Sequence, residues 1–328
     1  MSAAKRIFML GASGTIGQAT LRALLQEGHE VICFMRKETS PAHAQIRHDL
    51  QDCTFRDGSV LDEDSISQEG FQGEHFDVVV SCMASRTGSP KDAWDVDFKA
   101  HSKVLALAKT MGVKQFILLS AICVQKPLLE FQYAKLAFEK LLIESGLIYS
   151  IVRPTAFFKS LSGQIERVKK GKAFLVFGNG VLTSCKPISD ANLGTFIANC
   201  IQDESRHHKI LPIGGPGPAI TPMQQGQYLF TLLNKPPKFK HVPVGLLDVI
   251  ILTLSALGKL IPSLRDKCEL AKIGRYYATE SMLVLNTKTQ VYDPLLTPEF
   301  GQDSLFDFYK KMIFNREAID LKDHAVFK

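Results

Sequence analysis

Short apolar runs alternate with helical periodicity over the first half of the chain. Ile7 to Leu10 is a continuous apolar run of strand length, and apolar residues then recur at helical spacing from Thr15 to about Glu27. Glu30 to Met35 is a second strand. Thr54 to Gly58 reads as a short strand ending in a turn, and Asp77 to Ser81 as the β-branched run of a buried parallel strand. A helical pattern follows from Asp92 to Met111, then a strand from Gln115 to Ser120. A helix over about Leu129 to Ser145 and a strand over Ile148 to Arg153, closed by Pro154, complete the series. This predicts an α/β protein: a Rossmann-type doubly wound parallel sheet. After Pro154 the texture changes to glycine and proline clusters such as Gly214-Gly-Pro-Gly-Pro218. Two regions are expected. Residues 1–154 form the nucleotide-binding domain. Residues 155–328 form a smaller C-terminal substrate-binding region with additional helices, covering the carboxyl ends of the strands.

The segment Gly11-Ala-Ser13-Gly14-Thr15-Ile16-Gly17 joins the first strand to the first helix. Gly11 suits a tight turn, Gly14 lets backbone approach a pyrophosphate, and Gly17 lets the helix pack closely. The N–H groups and positive end of the helix then face the phosphates, giving Gly11, Ser13, Gly14, Thr15, Ile16 and Gly17 as cofactor-binding candidates. A glycine-rich structural turn is the competing explanation. NAD-binding proteins place an acidic residue about 20 positions beyond the glycines to hold the ribose 2′-hydroxyl. Arg36 and Lys37 stand there instead. A guanidinium suits a 2′-phosphate, so NADPH is the expected cofactor. A solvated basic pair beside Glu38 is the alternative.

The 328 residues carry a net charge of +6 spread along the chain, with no basic block, so nucleic acid is not an expected partner. Seven cysteines, none in a Cys-x-x-Cys motif, suggest free thiols in a reducing compartment. With the first strand starting by Arg6, no room is expected for a leader, and a cytoplasmic location follows. Between Val244 and Ile261, Asp248 and Lys259 bracket ten uncharged residues. Such a helix covers ~15 Å of a ~30 Å hydrocarbon core, too little to span it. A buried helix, a lid over an apolar substrate (Val249 to Leu257) and a helix lying on a membrane remain open.

Ser120 at a strand end, followed by Lys135 on a helix, resembles the short-chain dehydrogenase/reductase superfamily. There a Tyr-x-x-x-Lys pair lies on one helix face. Lysine holds the nicotinamide ribose, and tyrosine exchanges a proton with a carbonyl or alcohol. Here Phe131 occupies the tyrosine position, and Tyr133 is about 200° around the helix from it. A solvated Lys135 and a strand-capping Ser120 are the plain alternatives.

Ser120-Ala-Ile-Cys-Val-Gln-Lys-Pro-Leu-Leu-Glu-Phe-Gln-Tyr-Ala-Lys135 is similar to the signature of divinyl chlorophyllide 8-vinyl-reductases, atypical members of that superfamily. So are Lys272-Ile-Gly-Arg-Tyr-Tyr-Ala-Thr-Glu-Ser-Met-Leu-Val284 and Thr297-Pro-Glu-Phe-Gly-Gln-Asp-Ser-Leu305. The resemblance runs from the glycine turn to about residue 310, and the family shares phenylalanine at the place of Phe131. It implies NADPH-dependent reduction of an 8-vinyl group to ethyl on a Mg-bearing divinyl chlorophyllide or protochlorophyllide, a step of chlorophyll or bacteriochlorophyll biosynthesis. It also admits peripheral contact with a photosynthetic membrane. Hydride addition to a vinyl group conjugated with the macrocycle forms no oxyanion, which makes loss of the tyrosine chemically sensible. Lys135, Ser120 and Tyr276 are the catalytic candidates, with Tyr277 a further proton source. Phe131, Phe157, Phe158, Arg275 and Tyr277 are the pigment-binding candidates, with Lys272 a second cation for the propionate. No protein-bound metal is expected. His241 is the one candidate ligand to the pigment's magnesium. Two rival readings remain: an isoflavone-reductase-like reductase of another conjugated alkene, and a catalytically silent NADP-binding sensor or assembly factor.

Overall fold

A computed structural model describes residues 3–37, 41–50, 52–261 and 263–314. The chain begins β1 (Arg6–Leu10), α1 (Thr15–Gln26), β2 (Glu30–Met35), α2 (Pro41–Asp49), β3 (Thr54–Asp57) and a single turn α3 (Glu63–Ser65). β4 (Val78–Ser81), a turn α4 (Pro90–Asp92), α5 (His101–Thr110), β5 (Gln115–Leu119), α6 (Glu130–Ile143) and β6 (Ile148–Pro154) follow. The strands match the apolar runs, each within a residue or two. The helix expected over Asp92 to Met111 is two pieces: Ala93–Ala100 is wound as a π-helix that runs into α5.

Beyond β6 come α7 (Ile165–Lys169), β7 (Phe174–Phe177), α8 (Asp190–Asn199), β8 (Lys209–Ile213) and α9 (Pro222–Leu232). Then follow β9 (Phe239–Val242), α10 (Val244–Leu257), α11 (Ser263–Thr279), β10 (Val284–Leu285), β11 (Tyr292–Asp293) and α12 (Leu305–Phe314). Two compact units result: Met1–Pro154 with Asp190–Leu211, and Thr155–Ser189 with Pro212–Lys328. The break after Pro154 lies where the texture changes. Residues 190–211, expected in the substrate region, instead belong to the first unit. The reason is packing: a Cβ on Gly194 of α8 would stand 2.6 Å from the backbone of Ala19, so α8 and α1 touch main chain to main chain.

The first unit carries a seven-stranded sheet in the order β3-β2-β1-β4-β5-β6-β8, with the neighbouring pairs from β3 through β6 parallel. This is the Rossmann-like doubly wound arrangement. The order reverses between β1 and β4, and ligands of such sheets bind at that switch point. Strand β1 is apolar on both faces because helices cover both sides. Phe8 packs on Phe71 with ring centroids 4.2 Å apart, within a core that also holds Phe34, Phe76, Phe116 and Phe138.

The second unit is built on a parallel pair, β7 with β9, and a core of Phe158, Val168, Phe174, Leu229, Phe230 and Tyr309. Gly226 in α9 exists for this core, since a Cβ there would meet the Phe239 ring at 2.5 Å. Helices α10 and α11 pair as a hairpin, braced by an Arg275–Asp248 ion pair and by Cys268 Sγ donating to Ile251 O at 3.7 Å. No residue of α10 is buried, so the buried-helix alternative for this stretch does not hold. Among the described residues no helix is long and apolar enough to cross a membrane. All seven cysteines are free thiols.

Candidate functional site

At the switch point the three glycines have different causes. A Cβ on Gly17 would stand 2.0 Å from Gly11 O, and one on Gly11, at φ +77°, 2.5 Å from the backbone of Cys82. Both glycines are demanded by the chain itself. Gly14 is not. Its φ of −75° and ψ of 160° suit any residue, and a Cβ there would meet nothing nearer than Gly11 O at 3.5 Å. Gly14 is also exposed and caps α1 without a side chain, and the first turn carries no acid. A bare backbone at the positive end of a twelve-residue helix is what a pyrophosphate needs. Ser13 lies in this turn, and its carbonyl accepts from Gln18 Nε2 at 3.2 Å. Thr15 and Ile16 open the helix, Ile16 buried. Arg36 and Lys37 stand exposed directly after β2. The residues present fit a dinucleotide: Gly14 and the start of α1 could receive phosphates, and two exposed cations lie beyond β2.

Helix α6 turns one face inward. Phe131 and Glu139 are buried and Lys135 nearly so. Lys135 Nζ donates to Asp97 Oδ1 at 2.9 Å. Asp97 is wholly buried on the π-helical segment, and it also accepts from Ser85 Oγ at 2.6 Å and Ser85 N at 3.3 Å. Three donors offset the cost of burying that carboxylate. Lys135 is thus a held cation, and the plain reading of a solvated lysine does not apply. One turn further along the π-helix and α5, buried His101 meets Ser81 Oγ at 2.8 Å and Val96 O at 2.8 Å. Burial holds its imidazole down at about 4, against an ordinary 6.5, with Lys135 adding to the drop and Asp97 opposing it.

Ser120 is not poised toward a reactant. Its hydroxyl donates to Glu139 Oε1 at 2.5 Å, and Glu139 pairs with Arg153 through Nε at 3.2 Å and through Nη2. The serine belongs to a buried Ser–Glu–Arg cluster tying β5, α6 and β6 together, so its proton is taken. Tyr133 donates to Pro127 O at 2.9 Å on the exposed side of α6, away from Phe131.

The second unit holds the remaining candidates. Phe158 is corrected: it is buried in the core of that unit, 5.6 Å from the Phe308 ring, and cannot wall a pigment slot. Phe157 is half-buried, its backbone bridged to Ile188. Arg275 is corrected as a spare cation, since its Nε donates to Asp248, and Lys272 Nζ donates to buried Glu269 at 3.1 Å. His241 Nδ1 lies 2.8 Å from Gly178 O. Tyr276 is buried and Tyr277 exposed, their rings edge to face at 5.8 Å. Tyr276 neighbours Tyr292, whose hydroxyl donates to Glu280 at 2.7 Å. Burial first, then Glu280 and Tyr276, push that phenol well above its usual range. Among the described residues no group of three or more His, Cys, Asp or Glu is placed to hold a metal ion.

Asp97, His101, Glu139 and Arg153 were not singled out from the sequence. A signal existed for the first two. Ala93, Asp97, Ala100 and Val104 form the buried stripe of one helical run, joined by His101, and a charge in such a stripe asks for a partner.

Residues 11–204 match the NAD(P)H-binding family. The divinyl chlorophyllide a 8-vinyl-reductase of Arabidopsis thaliana is 46% identical over 94% of this chain and 76% of its own length. That of Oryza sativa subsp. indica is 44% identical over 98% of this chain and 82% of its own. Both carry the word chloroplastic in their names. Among solved structures, the leucoanthocyanidin reductase of Vitis vinifera in binary complex with NADPH superposes with a TM-score of 0.69. It is 15% identical, covering 94% of this chain and 99% of that one, a likeness of fold.

Two outcomes test this geometry. Gly14→Ala leaves the melting temperature within about a degree or two, because the new methyl has room, yet weakens NADP+ binding roughly tenfold or more by standing where phosphate lies. Equal affinity by calorimetry removes the turn from the site. The second concerns acid. The unfolded chain binds a proton at His101 near 6.5 and the folded chain only near 4, so the unfolded state binds more protons in between. Stability is full above pH about 6.5 and is lost as pH falls toward 4. In denaturant titrations His101→Gln flattens this slope, and an unchanged slope disproves the assignment.

Proposed function

This chain belongs to the divinyl chlorophyllide a 8-vinyl-reductase family, and we propose that it reduces the 8-vinyl group of a divinyl chlorophyllide or protochlorophyllide to ethyl, with NADPH as donor. The observation that carries this reading is similarity to the plant reductases over 94% or more of this chain, joined to a glycine turn whose middle glycine has no internal cause. The bound dinucleotide supplies the hydride. Gly14 and the first turn of α1 bind its pyrophosphate, while Arg36 and Lys37 select the 2′-phosphate. Lys135, locked by Asp97 on the π-helical segment, presents its remaining N–H groups to the nicotinamide ribose.

Phe131 sits one turn before Lys135, where the wider superfamily keeps its tyrosine. Reduction of a vinyl group conjugated with a macrocycle leaves no oxyanion to protonate, so a phenyl ring serves there as apolar lining. The proton goes to carbon. Ser120 is the poorer source, because its hydroxyl is held by Glu139. Tyr276 remains the candidate, a buried phenol beside Tyr292. Exposed Tyr277 offers a face for pigment contact. The seven free thiols suit a reducing compartment.

Incubation with NADPH and divinyl chlorophyllide should shift the Soret band to the blue as vinyl conjugation is lost, with NADH much poorer. Arg36→Glu should raise the KM for NADPH and leave that for NADH little changed. Lys135→Ala should lose roughly ten- to a hundredfold in kcat/KM, the worth of one charge-assisted contact of ~1.5–3 kcal/mol. No spectral shift despite tight NADP+ binding would make this a silent binding protein. Equal use of both cofactors would remove the role given to Arg36.

A further inference from the structure

Helix α10 is apolar over most of its circumference, yet its half-buried positions lie on one side. Leu247, Ile251 and Leu254 are half-buried, and Ile251 meets Cys268 of α11 through its carbonyl. On the adjoining face Leu246, Val249, Ile250 and Leu257 are all exposed. Their spacing of i, i+3, i+4 and i+11 draws one stripe along the helix. It continues past the helix end into Leu260, 83% exposed, while Leu252, 73% exposed, flanks it. Fourteen residues make this helix ~21 Å long, a contiguous greasy ridge of a kind that soluble surfaces rarely leave in water.

The charges around the ridge say what it meets. Lys238 and Lys240 stand exposed before the helix, and Lys259, Arg265 and Lys267 after it. Between residues 235 and 267 the only acids are Asp248 and Asp266, and Asp248 is neutralised by Arg275. A second copy of this chain is a poor occupant: pairing two such helices antiparallel would set the cations of one end against those of the other. An anionic surface with an apolar interior complements both features at once. Too short to span, the helix suits a position in the plane of the interface, stripe down, with flanking lysine stems reaching to headgroups.

We propose that the outer face of α10 docks this chain on an anionic lipid surface. The proposal stands apart from the pigment reaction and is tested without it.

The test is flotation of the full chain with vesicles of phosphatidylcholine, with and without phosphatidylglycerol. The parent protein should float with the anionic vesicles and be released by high salt. Val249→Glu with Leu257→Glu should cut the floated fraction roughly tenfold, with thermal melts unchanged because both side chains are already in water. Lys238→Glu with Lys240→Glu should weaken binding through charge alone, leaving the ridge intact. The proposal is overturned if the parent stays in the soluble fraction or if the Val249/Leu257 variant floats like the parent. It is equally overturned if that variant keeps its flotation and instead turns a dimer into a monomer, or loses divinyl chlorophyllide binding in vesicle-free buffer. Those results would give the ridge to a second copy or to the pigment.

Discussion

The first unit depends on a close contact of bare backbone. Gly17 in α1 lies against the carbonyl of Gly11, and Gly11 lies against the main chain of Cys82 just beyond β4. Any side chain at either point would drive apart the helix, the turn and the strand. The same device recurs on the outer side of α1, where Gly194 of α8 rests on Ala19 and Thr20. Strand β4, the turn, α1 and α8 are therefore stacked at backbone distance, and the N-terminus of α1 is aimed by contacts that have almost no slack. Gly14, in the midst of this, is tied in by its own backbone, its N–H donating to Gly11 O at 3.1 Å, but a Cβ on it would meet nothing nearer than 3.5 Å. Three glycines thus hold the backbone in place, while the fourth is exposed and leaves it uncovered at the candidate site.

Buried charge provides the second layer of order. On α6, Lys135 and Glu139 are one turn apart and of opposite sign, yet each is held by a group on another element. Lys135 reaches the π-helical segment through Asp97, and Glu139 reaches β5 and β6 through Ser120 and Arg153. A buried charge left alone costs several kcal/mol, so each pair acts as a register pin between elements. The wider turn of the π-helix belongs to this arrangement, for Asp97 sits within it. Such local distortions are frequent at functional sites. A lysine fixed in this way loses less freedom when it contacts a cofactor than a solvated one would.

The second unit is organised around aromatic packing. Phe158, Phe174, Phe230 and Tyr309 fill its centre, with the Tyr309 hydroxyl donating to Leu161 O at 2.7 Å. Filling that centre is what removes Phe158 from any role at a surface. The apolar length of α10 is left over from this core, half of it set against α11 and half against solvent.

The sequence by itself determined the strands, the glycine turn, the basic pair beyond β2 and the isolated lysine of α6. These rest on local rules: a period of two or 3.6, the conformational range of glycine, and the chemistry of one side chain. It also carried the family likeness in three strings of residues. Only the tertiary structure decided what each polar group meets. Asp97 and Lys135 are 38 positions apart, and nothing near either names the other. Ser120 reads as a reactive hydroxyl until Glu139 is seen to take its proton, and Arg275 as a spare cation until Asp248 is placed beside it. The return of residues 190–211 to the first unit turned on Gly194, a glycine whose purpose is invisible without Ala19 across from it. An apolar run such as Val244–Leu257 reads alike whether it is buried or exposed, because hydropathy records what a segment prefers, whereas burial depends on what the rest of the chain has left to cover it.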